Sequence, residues 1–402
     1  MRRDAALARL RGAGWLGRAR PFLAVLDGEL GRTRAVGGIV RDTLLGREPG
    51  GADLDLATEL LPKQVVARAE AAGLTAHPTG IDHGTVTLVL EGQTAEVTTL
   101  RQDVETFGRK ARVAFGTDWR RDAARRDFTM NALYANGDGT LFDPLEGLED
   151  CLAGRVRFIG DPDARIAEDR LRVYRYFRFA VTHGEQAFDP PALAACERAA
   201  GTLDLVSAER VGAEMLRLLA ARHCALTLET MVRIGVLDRG LFDAETLHAL
   251  CRLEGLAAPA GVGSRLGLMA ARGGGLDRMQ GLWRLSNAVI AGARDRAEGA
   301  ALAAREHWAE LGYRHGPEAL DALLIAAALA DREDGWVRAG MERAEPFVGR
   351  KFPIGGADLI GIGFAPGPEL GAVLARLEAA WLESDCVPDQ AALLALARGW
   401  KR

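Results

Sequence analysis

The short run Asp53-Leu54-Asp55-Leu56 constrains this chain more than any other stretch. Side chains alternate across a strand, so Asp53 and Asp55 share one face while Leu54 and Leu56 turn toward a core. Two like charges so close repel each other and call for a neutralising cation. Hard carboxylate oxygens suit Mg²⁺, which takes one or two carboxylates and completes its shell with water and phosphate oxygens. Just upstream, an apolar entry leads into the Gly37-Gly38 turn and a short helical pattern at Ile39–Leu45. Taken alone, the acid pair reads more readily as a wet edge strand carrying two solvated carboxylates.

Composition narrows the setting. With 402 residues the chain is long for one core, and two to four domains are expected. A hydrophobic content of 48% and a charged content of 26% are those of a globular chain. The formal net charge of −4 means that any nucleic-acid site must be a local basic patch. The five cysteines lie far apart with no C-x-x-C, which argues against a zinc site or a disulfide framework and for a reducing compartment. The first residues carry charge throughout and lack a signal-peptide core, and no stretch approaches the roughly 18 apolar residues of a membrane span. A cytoplasmic location is the expectation.

In chain order, residues 22–30 read as a short amphipathic helix before a strand at 33–36. Residues 61–73 are a clear helix, with Pro62 early and Gly73 at its end. Two β-type runs around Glu91-Gly92-Gln93 predict a hairpin, so residues 1–100 form a small α+β unit of about four strands. Residues 101–128 are basic with little hydrophobic period, which predicts a mobile loop followed by an Arg-rich segment. From about residue 162 onward the pattern is almost only helical.

Three further segments bear on chemistry. In Arg125-Arg126-Asp127-Phe128-Thr129-Met130-Asn131, planar guanidinium groups beside Asp127 and Asn131 suit a triphosphate or a sugar. On a helix, Asp169, Arg172 and Arg175 would share a face. A carboxylate beside a guanidinium offers an acceptor next to a donor. Adenine and cytosine present an exocyclic amine next to a ring-nitrogen acceptor, whereas uracil and guanine present the reverse. Such a pair accepts ATP and CTP and rejects UTP and GTP without a template. The third segment, Ser207-Ala208-Glu209-Arg210, reads as a helix start with Ser207 as its cap. Each segment alone is equally compatible with ordinary surface ion pairs or capping.

Together these segments resemble the class II tRNA nucleotidyltransferase (CCA-adding enzyme) and bacterial poly(A) polymerase family. The match runs in order through Gly37-Gly38-Ile39-Val40-Arg41-Asp42, Asp53-Leu54-Asp55, Glu96-Val97-Thr98-Thr99-Leu100-Arg101, Arg125 to Asn131, Asp143-Pro144-Leu145-Glu146-Gly147, Glu168-Asp169-x-x-Arg172 and Ser207-x-Glu209-Arg210. That covers roughly residues 30–215, and several motifs in order are far more specific than any one of them. The resemblance implies an α+β nucleotidyltransferase head with a small mixed sheet over residues 1–150. An all-α neck that recognises the base would follow at 151–221, then a helical body and tail at 222–402 that bind tRNA.

The implied activity is template-independent addition of CMP and AMP from CTP and ATP to the 3′ end of tRNA, with release of pyrophosphate. Asp53 and Asp55 would be catalytic and hold Mg²⁺, with Glu96 as a third acidic contact. Gly37, Gly38, Arg41 and Asp42 would cradle the triphosphate, Arg125, Arg126, Asp127 and Asn131 would contact sugar and phosphates, and Arg175 would also bind the nucleotide. Asp169 and Arg172 would read the base. Arg109, Lys110 and Arg210 would serve a flexible loop or RNA contact, the loop favouring terminal A addition. The chain departs from the family at Phe107, Arg170 and Tyr174. It also lacks the Gly-Arg-Arg/Lys-Phe-Arg run frequent in poly(A) polymerases, which favours tRNA as substrate. The competing readings are a poly(A) polymerase or A-adding enzyme, and a catalytically silent RNA-binding protein on the same fold.

Overall fold

The computed structural model describes residues 2–47, 54–80, 84–107, 110–273 and 275–400. The chain divides into two compact units, Met1–Ser207 and Ala208–Arg402.

The first unit opens with helices α1 (Arg2–Arg11) and α2 (Trp15–Val25), then strand β1 (Thr33–Val36) and helix α3 (Gly38–Leu44). Strand β2 (Leu54–Thr58) and helix α4 (Pro62–Ala71) follow, then strands β3 (Thr75–Gly80), β4 (Thr85–Leu90) and β5 (Gln93–Thr99). The expected hairpin is β4–β5, and the strand at Leu54–Thr58 lies where the D-L-D-L alternation placed it. Residues 1–100 hold five strands, one more than the four expected. With β8 (Tyr134–Ala135) and β9 (Leu141–Phe142) from beyond that stretch, the sheet has seven strands in the order β3-β4-β5-β2-β1-β8-β9. The missed strands are the edge β3, with Pro78 inside it, and two-residue strands too short to show a period.

The expected loop at 101–128 is also corrected. Strands β6 (Arg101–Phe107) and β7 (Lys110–Phe115) pair as a separate antiparallel hairpin, from Arg101↔Phe115 to Phe107↔Lys110. Its β-branched and aromatic residues favour strand, and the interleaved charges hid that preference from a hydrophobic pattern. Helix α5 (Trp119–Ala124) follows, started by Asp118, whose carboxylate accepts from the backbone of Arg120 at 2.9 Å and Arg121 at 3.1 Å.

Register explains the layers. Leu54, Leu56, Ala95, Val97, Val86 and Leu88 lie on one face of the sheet and are buried, with α2 and α4 packed on those strands. Asp55 and Glu96 lie on the other face. On that same face Val36 and Ala57 join Trp119, Ala123, Tyr134 and Ile159 in a second apolar cluster. One side of the sheet is therefore a core, and the other is part core and part open chemistry.

Helices α6 (Leu148–Leu152), α7 (Pro162–Glu168), α8 (Leu171–His183) and α9 (Pro190–Ala199) complete the unit. Helix α8 buries Tyr176, Phe177 and Phe179. Phe158 stacks on Tyr176 with centroids 5.7 Å apart, and Phe128 meets Phe179 at 5.3 Å. These aromatic contacts seat α8 against the segment that follows α5.

The second unit is helical among its described residues, beginning with α10 (Ala208–Leu219), α11 (Ala225–Arg233), α12 (Ala244–Gly255) and α13 (Val262–Ala271). The helix Ala319–Ala330 buries eight of its twelve residues, its alanines allowing close approach. A fully buried Arg265 ties the unit together, donating to the carbonyls of Leu219, Ala260 and Arg222 and to Glu254. A separate apolar cluster of Ile354, Leu359, Leu377, Trp381 and Leu393 forms the last core. No helix among the described residues is long and apolar enough to cross a membrane.

Candidate active site

Strands β2 and β5 run parallel with Asp55 opposite Glu96, so both carboxylates leave the sheet on one face, and both residues are exposed. Asp53 lies outside the described residues. Gly37 caps α3 with φ +80° and ψ −138°, a conformation open to glycine and costly for other residues. A Cβ at Gly37 would stand 3.6 Å from Asp55 Oδ2, and one at Gly38 would stand 3.5 Å from Arg41 Nη2. The paired glycines thus bring bare backbone against the acid face and against a guanidinium.

Arg41 is buried, and three of its five N–H groups are committed. Nε and Nη2 form a fork on Asp42 at 2.9 and 3.0 Å, and Nη1 donates to Asn131 Oδ1 at 2.6 Å. Asn131 Nδ2 donates in turn to Asp127 Oδ1 at 3.0 Å. Asp127 Oδ2 receives Nε and Nη2 of Arg175 at 2.7 and 2.6 Å. Burial opposes ionisation of Asp127, but Arg175 and Asn131 outweigh it and hold the carboxyl below its ordinary range. An unbroken chain of bonds therefore joins the glycine turn to the middle of α8.

Arg125 and Arg126 converge on Asp122. Arg125 Nε donates to Oδ1 at 2.7 Å, while Arg126 Nη2 and the Tyr134 hydroxyl donate to Oδ2 at 3.2 and 2.9 Å. Burial pushes Asp122 up, yet Arg126 and Arg125 keep it ionised and below its usual value. In this structure both arginines are oriented by a buried carboxylate that the sequence did not single out.

The expected base-reading pair sits differently from expectation. Asp169 is not on a helix. It caps the end of α7 in an extended conformation (φ −150°, ψ 105°), and its Oδ1 accepts the Leu171 amide at 3.1 Å. The position just before a helix suits Asp better than a helical interior, because its side chain satisfies an otherwise orphan N–H. Arg172 and Arg175 do share a face of α8, and both reach the segment after α5. Arg172 Nη1 bonds Glu168 Oε2 and the Arg165 carbonyl, each at 2.7 Å. Buried Arg165 reaches Glu168 and the carbonyls of Arg125 and Arg126.

At its other end, α8 presents His183. Its Nε2 lies 3.1 Å from Asp42 Oδ1, and its Nδ1 lies 2.7 Å from Thr182 Oγ1. Of the remaining expected residues, Lys110 opens β7, Arg210 lies exposed on α10, and Arg109 falls outside the described residues. Sequence reading missed Asp122, Arg165 and His183 as site residues. Only the polar identity of a residue inside an apolar pattern could have flagged them.

Residues 33–157 match the family described as Poly A polymerase head domain, and residues 187–241 match the one described as Probable RNA and SrmB- binding site of polymerase A. The CCA-adding enzyme of Limosilactobacillus fermentum is 32% identical over 94% of this chain and 96% of its own. The chain belongs to the CCA-adding enzyme family. A solved member of that family, the Bacillus stearothermophilus CCA-adding enzyme in complex with CTP, superposes with a TM-score of 0.76 at 27% identity over 96% of this chain and 98% of that one. The Thermotoga maritima CCA-adding enzyme complexed with tRNA shares the fold at a TM-score of 0.66 and 18% identity, over 95% of each chain. The mitochondrial CCA tRNA nucleotidyltransferase 1 of Danio rerio is 41% identical over 50% of this chain, and the match spans 47% of that relative. Among vertebrate relatives the match thus covers about half their length.

Proposed function

We propose that this protein extends the 3′ end of tRNA with CMP and AMP, taking CTP and ATP and releasing pyrophosphate without a template. The observation that carries the reading is the bond chain from the Gly37-Gly38 turn through Arg41, Asn131 and Asp127 to Arg175. It joins the glycine turn to the middle of α8 in a chain that aligns along nearly its whole length with a CCA-adding enzyme.

In this reading the tRNA 3′ hydroxyl oxygen attacks the α-phosphorus, a new P–O bond forms, the bond to the β-phosphate bridge breaks, and the hydroxyl proton leaves to solvent. Asp55, with Asp53 and Glu96, supplies the all-oxygen donor set that suits Mg²⁺, and two such ions would activate the hydroxyl and neutralise the leaving pyrophosphate. Gly37 and Gly38 let the triphosphate approach the backbone closely, and Arg41 lies beneath it, fixed by Asp42. Arg125, Arg126, Asp127 and Asn131 face sugar and phosphates. Asp169 and Arg172 offer the acceptor–donor edge that adenine and cytosine complete. The guanidinium of Arg172 is held in orientation by Glu168 and two carbonyls, which limits the entropy lost on base binding.

The head (1–150), neck (151–221) and body with tail (222–402) divide this labour, and Arg109, Lys110 and Arg210 serve RNA contact or the loop needed for terminal A addition. A cytoplasmic setting accords with cysteines that are all free, four of them buried. The deciding experiment supplies tRNA lacking its 3′ end with CTP and ATP and reads which nucleotides are added and where addition stops. Addition of CCA followed by a stop supports the reading. A run of A identifies a poly(A) polymerase, a single A identifies an A-adding enzyme, and no Mg²⁺-dependent incorporation identifies a silent RNA-binding protein.

A further inference from the structure

Helix α8 commits one residue in each turn to the head sheet and its loops. Arg172 bonds the Arg125 carbonyl, Arg175 bonds Asp127, Phe179 lies beneath the guanidinium of Arg41 at 5.1 Å, and His183 meets Asp42. The spacing of these four residues by three or four makes them one stripe. Over eleven residues the stripe spans about 16 Å, so it reaches from the base-reading junction to the triphosphate turn.

At the far end the bonds form a relay. Arg41 is the guanidinium nearest the glycine turn, and the fork on Asp42 sets its plane. Asp42 itself is held from α8 by His183, whose side chain is only 6% exposed. Burial holds the His183 ring neutral, with Asp42 opposing that shift, while Asp42 stays ionised despite its own burial because His183 and Arg41 favour the charge. An ionised carboxylate only accepts, so Nε2 carries the proton, and at Nδ1 stands the Thr182 hydroxyl, whose one proton is shared between that nitrogen at 2.7 Å and the Arg178 carbonyl at 2.9 Å. The imidazole is thereby fixed at both nitrogens. Arg47 adds a further tie at this corner, donating from Nη1 to the Thr182 carbonyl at 2.7 Å.

We infer that His183 is a positioning residue for nucleotide binding: through Asp42 it fixes the plane of Arg41 and so tunes affinity for the triphosphate without touching the base. The inference rests on the function proposed above and deepens it. A residue at the triphosphate end should affect CTP and ATP alike and leave base selection alone. A residue that merely stabilises the fold would move neither KM nor nucleotide affinity in the folded protein.

The test compares wild type with His183→Phe, His183→Gln and Thr182→Val. Phe fills the space but cannot donate, Gln restores a donor toward Asp42, and Val removes the hydroxyl that orients the ring. In His183→Phe the KM for CTP and for ATP is expected to rise on the order of tenfold with kcat little changed, the signature of lost ground-state binding. His183→Gln should recover most of that loss, and Thr182→Val should show a smaller rise of the same pattern. Direct titration of CTP against the full-length protein without tRNA should show the same weakening in Kd. Unchanged KM and Kd in folded His183→Phe or Thr182→Val overturn the inference, as does a loss of discrimination against UTP or GTP. If His183→Phe fails to fold, Thr182→Val and His183→Gln carry the same comparison. A wild type that binds CTP but adds nothing to tRNA sinks the proposed activity, while the titration still decides the role of His183.

Discussion

Asp55 and Glu96 are register partners on the parallel strands β2 and β5, so both carboxylates project from the same face of the sheet. Parallel pairing fixes which residue stands beside Asp55 even though the two strands are separated by α4, β3 and β4. If these acids hold Mg²⁺, Asp55→Asn should lower incorporation by at least roughly 10³-fold, the several kcal/mol that metal polarisation supplies. tRNA retention in a filter-binding assay should be nearly unchanged. Glu96→Gln should raise the Mg²⁺ concentration needed for half-maximal rate, and an unaltered Mg²⁺ midpoint removes Glu96 from the donor set.

Base selection is expected to depend on the α7–α8 junction. Asp169→Ala deletes the acceptor that adenine and cytosine need, so discrimination against UTP and GTP should fall on the order of a hundredfold. Single-nucleotide incorporation with each of the four NTPs measures it. Selectivity equal to wild type would place base reading elsewhere.

Acid stability should fall in two steps that belong to one pair. His183 is lowered from its ordinary 6.5 to about 4, first by burial. The unfolded chain then binds a proton that the folded chain refuses, so stability declines as pH drops from about 6.5 toward 4. Asp42 is lowered from 3.8 to about 2, with burial opposing and His183 and Arg41 favouring the charged form. Its contribution is full above 3.8 and is lost as pH falls toward about 2. Urea midpoints across this range should show the upper step vanish in His183→Phe, and a retained step would assign it to another group.

In the second unit, Arg265→Ala should be severely destabilising. The side chain is 0% exposed, donates at 2.7 to 3.0 Å to three carbonyls and to Glu254, and its loss leaves that 8% exposed carboxylate the Cys224 and Ala225 amides but no guanidinium. Breaking a buried pair of this kind costs about 3–5 kcal/mol. Arg265→Lys restores the charge but not the fork and should fall between. Calorimetry of the full chain reads both, and a wild-type transition in Arg265→Ala would show that the carbonyls and Glu254 rearrange without cost.

The local pattern of the sequence carried a good deal of this. Alternation in Asp53-Leu54-Asp55-Leu56 placed a strand with Asp55 on the face opposite Leu54 and Leu56, Gly37-Gly38 placed the turn, and Pro62 with Gly73 bracketed a helix, because these features act over a few residues. The same kind of reasoning missed the hairpin at Arg101–Phe115, where interleaved charges masked strand preference, and the break at Asp169, where helical spacing ran straight through a cap. Motif order identified the family that the near full-length match to the Limosilactobacillus fermentum protein shows.

Tertiary structure alone decided who meets whom. That Glu96 stands beside Asp55, that Asp122 gathers Arg125, Arg126 and Tyr134, and that His183 reaches Asp42 across 141 residues follows from sheet register and from the seating of α8 on its aromatic contacts. Periodicity specifies which face a side chain takes on its own element. It cannot specify the partner on another element, because that choice is made by long-range packing and by the requirement that every buried charge find its counterpart.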